Sequence, residues 1–217
     1  MQSLLDLILP LECGGCGAAG SNWCAKCREA LAAEPMRLAP RSPVGVACWA
    51  LGNYSGPHRR AVISAKERGR RDLAEPLGMA LAAALGWLRA AGELDPPELA
   101  PLILVPAPTR ARAARVRGGD PVFRAVTEAA RFVPRCRVAG VLVAGRGVKD
   151  SVGLSVQQRQ QNLVGRVHVV VPHTIPLGAD VVLVDDVLTT GSTARESVGV
   201  LATAGVKVTA ALVVASA

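Results

Sequence analysis

The sequence predicts an α/β fold: a doubly wound, mostly parallel sheet flanked by helices, preceded by a small cysteine-bearing module. Three observations carry this reading. Val181-Val182-Leu183-Val184 is a continuous apolar run, as expected of a strand buried on both faces of a parallel sheet. Leu102-Ile103-Leu104-Val105 is a second such run, and it stops at Pro106, which has no N–H for a strand ladder. Helical apolar spacing recurs beside these runs, over Leu73 to Ala91, Pro121 to Arg131 and Ala194 to Ala204.

Taken in order, the chain divides at a Pro-rich stretch from Pro35 to Pro43. Residues 1–44 form the module and its linker, ending in a short helix near Arg28–Leu31, and residues 45–217 form the main domain. Val46 to Leu51 reads as a strand, followed by a helix through Arg59 to Lys66 and a break at Gly69. Gly205 suits the C′ position of the last helix, and Val206–Ala215 reads as the last strand. Ser155 is placed to cap a short helix after the polar turn 146–153.

Half of the 217 residues are hydrophobic, enough for a core, but only 3% are aromatic. No apolar run reaches the ~18 residues of a membrane span. The N-terminus carries Asp6 and no basic region, so no signal peptide is read and a cytoplasmic location is expected. A net charge of +8 favours anionic partners: phosphates, diphosphate or nucleic acid. The charge gathers in two clusters, Arg59 to Arg71 with Lys66, and Arg110, Arg112, Arg115 and Arg117. Few aromatics accompany them, so base-stacking platforms are not evident.

The most informative stretch joins the Val181 strand to Asp185-Asp186, Val187-Leu188 and Thr189-Thr190-Gly191-Ser192-Thr193. A helix follows. Backbone N–H groups at a helix N-terminus, its dipole and the loop hydroxyls would receive a phosphate. The carboxylates suit vicinal sugar hydroxyls or a hydrated magnesium ion instead. The ligand implied is a sugar phosphate. An ordinary capped helix after an acidic strand end is the plain alternative.

Cys13-Gly14-Gly15-Cys16 and Cys24-Ala25-Lys26-Cys27 have the spacing of a tetrahedral four-cysteine zinc site. Four thiolates leave no open position, so the zinc is structural. A reducing compartment disfavours disulfides, and the absence of a surrounding βαβ unit disfavours a redox pair. Cys48 and Cys136 are single and read as core residues.

The stretch from Val181 to Thr193 resembles the phosphoribosyl diphosphate (PRPP) loop of type I phosphoribosyltransferases. Other segments narrow the likeness to the ComF (GntX-like) family. They are the two cysteine pairs, Tyr54-Ser55-Gly56, Lys66-Glu67-Arg68-Gly69-Arg70, Val105-Pro106-Ala107-Pro108, and Val152-Gly153-Leu154-Ser155 with Arg159 and Asn162-Leu163. The resemblance implies a type I phosphoribosyltransferase-like sheet and PRPP as ligand. Val184, Asp185, Asp186, Thr189, Thr190, Gly191, Ser192, Thr193, Pro106, Ala107 and Lys66 would bind PRPP. Asp185 and Asp186 with magnesium, and Arg112 and Arg117 at the diphosphate, would serve transfer to an unidentified acceptor. It implies further a role in competence and DNA uptake, with single-stranded DNA as partner. Type I relatives often dimerise, which makes a homodimer an expectation.

Three departures stand out. Arg117-Gly118-Gly119-Asp120-Pro121 replaces the family's Arg-Gly-Phe-Asn-Gln, Ser151 stands where a glutamine is usual, and a second N-terminal cysteine pair is missing. The first two bear on transferase turnover more than on PRPP binding. The third implies one zinc rather than two.

Overall fold

The computed structural model describes residues 11–108, 119–144 and 167–217. Its framework is a mixed α/β arrangement around a six-stranded, mostly parallel sheet. The strands are β1 (Met36–Leu38), β2 (Ala47–Ala50), β3 (Leu102–Pro106), β4 (Cys136–Val138), β7 (Asp180–Leu188) and β8 (Ala210–Ser216), ordered β1-β2-β8-β7-β3-β4. Only β1, at one edge, runs antiparallel to its neighbour. A two-stranded antiparallel ribbon, β5 (Leu142–Ala144) and β6 (Val167–Val169), stands apart from it.

The central strands carry unbroken apolar runs, Leu102–Val105, Val181–Val184 and Ala210–Ala215, because both of their faces are covered. The short helix of the cysteine module, α1 (Ala25–Leu31), contributes Leu31 to the core on one face. Val182, Val184, Leu102, Leu104, Ala210 and Leu212 point to that face, under α2 (Gly56–Lys66), α3 (Ala74–Ala90) and α4 (Pro121–Phe132). Val181, Leu183, Ile103, Val105, Ala211 and Val213 point to the other, under α5 (Ser192–Thr203) and the β5–β6 ribbon. Strand period two thus divides the sequence between two cores.

Each helix has a local cause. α3 buries Leu77, Leu81, Leu85 and Leu88 along one stripe, and a single turn of 3-10 helix, Arg71–Leu73, leads into it. α4 starts where the Asp120 carboxylate accepts from the N–H groups of Val122 and Phe123, with Pro121 in its first turn. It crosses α3 closely, because Gly78 lets the two backbones meet beside Ala125 and Ala129. α5 ends as expected at Gly205: the Val206 N–H reaches the Leu201 carbonyl and the Gly205 N–H that of Ala202, a Schellman closure.

Two expectations about strand ends are corrected. β7 does not stop at the aspartates but continues to Leu188, because β8 keeps pairing with it through Leu188 and Ser216. What stops is β3, whose pairing with β7 ends at Pro106 opposite Val184. The last strand begins at Ala210 rather than Val206, although Thr209 already donates to the Val181 carbonyl. Cys48 is buried as expected, whereas Cys136 is only half-buried, since β4 is an edge strand. No helix among the described residues is long and apolar enough to cross a membrane.

Candidate functional site

The crossover from β3 through α4 leads outward to β4, while that from β7 through α5 leads the other way to β8. The connections from the carboxyl ends of adjacent strands β3 and β7 therefore leave in opposite directions, and an α/β sheet binds ligands at such a switch point. Asp185 and Asp186 lie on β7 just past the end of β3, where the Ala107 N–H still donates to the Val184 carbonyl at 2.7 Å. The loop Thr189–Thr193 follows at once. One concavity is lined by Asp185, Val187, Leu188 and residues 189–194. A second shares Asp185 and is lined also by Lys66, Asp186, Pro121 and Val122 among others.

The acidic pair is asymmetric. Alternation along β7 turns Asp186 toward α2, where the Lys66 ammonium meets its Oδ2 at 2.7 Å. Asp185 Oδ1 accepts from the Asp186 N–H at 2.8 Å. Burial, and then the like charge of Asp186, push the Asp185 carboxyl up to about 7, while the Asp186 N–H and Lys66 oppose the shift. The Asp120 carboxylate adds to the repulsion. A divalent cation at this place would reverse the balance by stabilising both anionic carboxylates.

The loop carries the features of an anion cradle. Gly191 caps α5 in the left-handed region, at φ 85° and ψ 1°. Thr190 Oγ1 and Ser192 Oγ lie 2.9 Å apart, and the Ser192 N–H points at Thr190 Oγ1 at 3.4 Å. Beyond Ser192, the N–H groups in the first turn of α5 have no intrahelical carbonyls, which leaves them and the helix dipole for an anion.

One partner of the loop is not legible in the sequence. The Pro-rich linker packs directly upon it: the Ser42 N–H donates to the Thr190 carbonyl at 3.0 Å. A Cβ at Gly191 would lie 2.9 Å from the Ser42 carbonyl oxygen and 3.1 Å from Pro40 Cβ. Nothing in the spacing of Pro40 and Ser42 announces this, since the contact joins segments far apart in the chain. Asp120 is the other addition. In sequence it is only a departure from the pattern the chain resembles, and in the fold it caps α4 while its charge opposes ionisation of Asp185.

Cys13, Cys16, Cys24 and Cys27 also come together, with all four sulfurs within 4.8 Å of one another. A tetrahedral zinc with bonds of about 2.3 Å separates its sulfurs by about 3.8 Å, so the donor set fits that ion. Cys16 and Cys24 sulfurs stand 3.6 Å apart, and the Cys24 N–H points at the Cys13 sulfur at 3.3 Å. Burial alone would raise the Cys13 thiol, but N–H groups of Cys24, Cys16 and Gly15 outweigh it and bring it down to about 6. Cys27 moves the other way through burial and the neighbouring thiols. A thiolate favoured by backbone donors is what a metal ligand requires.

The structure thus gathers Val184, Asp185, Asp186, Thr189 to Thr193, Pro106, Ala107 and Lys66 around one switch point. Arg110, Arg112, Arg115 and Arg117 lie outside the described residues, as does the segment from Arg146 to Leu163. No protein-family model matches the chain, and no curated protein matches it either.

Proposed function

We propose that this chain binds PRPP with magnesium and is a phosphoribosyltransferase-fold protein of the ComF kind, working in the cytoplasm. The observation that carries the reading is the continuity of Asp185-Asp186 with the Thr189–Thr193 loop at the β3–β7 divergence. A phosphate held by the loop sets its sugar over the carboxylates, which take the ribose hydroxyls and the water shell of magnesium. Magnesium, when bound, neutralises the departing diphosphate. The chain's own part is positioning: Pro106 and Ala107 present the backbone after β3 to the diphosphate side, and Lys66 adds a cation. Cleavage at the anomeric carbon, with an oxocarbenium-like state, would rely on such placement and electrostatics and needs no covalent nucleophile. Structural zinc in the four-cysteine cluster completes the assignment.

A second reading has its own support. Asp120 adds a negative charge that opposes ionisation of Asp185, where the ComF pattern has an asparagine. That charge opposes an anionic leaving group, and it favours a protein that binds PRPP without turning it over. Such a protein would use its basic surface for single-stranded DNA in natural transformation.

Calorimetry with magnesium and PRPP tests the first claim, and no heat at millimolar ligand would remove it. Diphosphate release in the presence of candidate bases separates the two readings. Release abolished by Asp186→Asn supports the transferase. Binding without release, together with salt-sensitive binding of single strands, supports the module.

A further inference from the structure

The cysteine cluster is tied to the acidic pair by two short connections. One runs through α2. The Ser64 hydroxyl, buried, donates to the Gly14 carbonyl at 3.2 Å, and the Arg60 guanidinium donates to the Cys16 carbonyl at 2.8 Å. Both acceptors belong to the first C-x-x-C turn. Two residues beyond Ser64, Lys66 reaches Asp186. Arg70 extends the clamp by donating to the Glu12 carbonyl at 3.0 Å, and Leu73 packs on Gly14 so closely that no Cβ would fit between them. The second connection is the linker after α1, the helix that carries Cys27. It ends on the phosphate loop through the Ser42–Thr190 hydrogen bond.

We infer that metal binding at the four-cysteine cluster and ligand binding at Asp185-Asp186 are thermodynamically linked, with Ser64 and Arg60 as positioning residues that pass the link through α2. The ligand half rests on the PRPP reading above. Without a metal, the four sulfur atoms share no common ligand and only hydrogen bonds within the module hold them at contact distance, so the turn that offers its carbonyls to Ser64 and Arg60 is less firmly fixed. The end of α2 then sets Lys66 less firmly against Asp186. With a metal, the turn is fixed and α2 is registered on it. Linkage is reciprocal, so bound ligand must tighten metal binding by the same factor.

The test is the zinc affinity of the whole chain, measured by competition with a chromophoric chelator, with and without saturating magnesium and PRPP. The ligand should tighten zinc roughly fivefold or more, within the usual range of such couplings. Arg60→Ala, at an exposed side chain, and Ser64→Ala should each bring that ratio toward one while PRPP still binds. Equal zinc affinity with and without bound PRPP overturns the link and leaves the functional reading intact. If PRPP does not bind at all, the functional reading fails, and amide hydrogen exchange decides the link instead. Stripping zinc should then speed exchange over residues 56–66 and 184–191. Unchanged rates there, or an equal rise across β3 and α4, overturn it.

Discussion

The Lys66 ammonium and the Asp186 carboxylate form a 2.7 Å ion pair that joins the end of α2 to the carboxyl-terminal part of β7. The Asp186 side chain is only 15% exposed and that of Lys66 39%, so the two partners are unequal. Asp186→Asn leaves the lysine in water and costs the fold little. It should abolish binding of magnesium and PRPP in calorimetry. Lys66→Ala leaves a shielded carboxylate without its cation, and it should weaken PRPP binding while making magnesium alone bind no worse.

The acidic pair also sets a pH dependence. Asp185 holds its proton up to about pH 7 when folded, against 3.8 ordinarily. Its burial therefore does not disfavour folding below about pH 4; the penalty grows between about pH 4 and 7 and is complete above 7. Asp185→Asn, which keeps the acceptor for the Asp186 N–H, should raise Tm by a few degrees at pH 8. That gain should fade as pH falls toward 4, and a gain independent of pH would contradict the assignment. In the unaltered chain, binding of magnesium and PRPP at pH 6 should release a proton, visible as heats that depend on the buffer's ionisation enthalpy.

Gly191 is held by conformation and by space together. A side chain there meets the left-handed backbone penalty of about 1–2 kcal/mol and the Ser42 carbonyl oxygen at 2.9 Å. Gly191→Ala should lower stability by at least that amount in denaturant titration and displace the loop, with a matching loss of PRPP affinity. Ser42→Ala, which keeps the backbone N–H, should have no such effect.

Gly78 offers a control remote from the site. A methyl group there would stand 2.8 Å from the Ala125 carbonyl oxygen and 2.9 Å from the Ala129 nitrogen, and neither backbone atom can step aside. Gly78→Ala should destabilise the fold by about 1–3 kcal/mol through overpacking. Ligand affinity of the folded fraction should stay the same.

Zinc removal has a graded expectation. Cys27 is buried on α1 and Cys16 is exposed, so Cys27→Ser should lose both the metal and local packing, and Cys16→Ser chiefly the metal. Metal content by atomic absorption, set beside thermal melts, distinguishes the two variants.

How legible the molecule is in its sequence depends on the range of the interaction. β3 and the core of β7 announce themselves because unbroken valine and leucine runs have one simple use in a parallel sheet. The C-x-x-C pairs and the Gly205 terminator are equally local, and all stand where their patterns place them. Met36–Leu38 is hidden inside a Pro-rich stretch, because an edge strand of three residues is defined by its neighbour rather than by its own pattern. The continuation of β7 through Asp185 and Asp186 is hidden for the same reason: β8 supplies the pairing. Pro40 and Ser42 are invisible as site residues, since only the folded chain brings them to Gly191. The charge of Asp120 is plain in the sequence, but its double engagement with α4 and Asp185 needs coordinates.

The position of β8 bears on how the chain is made. Ala47 of β2 and Val182 of β7 both pair with Ala210, so the strand that joins the two parts of the sheet is synthesised after the other five. Until then β2 waits with an unfilled ladder beside it, and the β1–β2 pair is not joined to the β7-β3-β4 part of the sheet. A nascent chain halted before Ala210 would therefore present two open strand edges, β2 and β7, to any chaperone or to another chain.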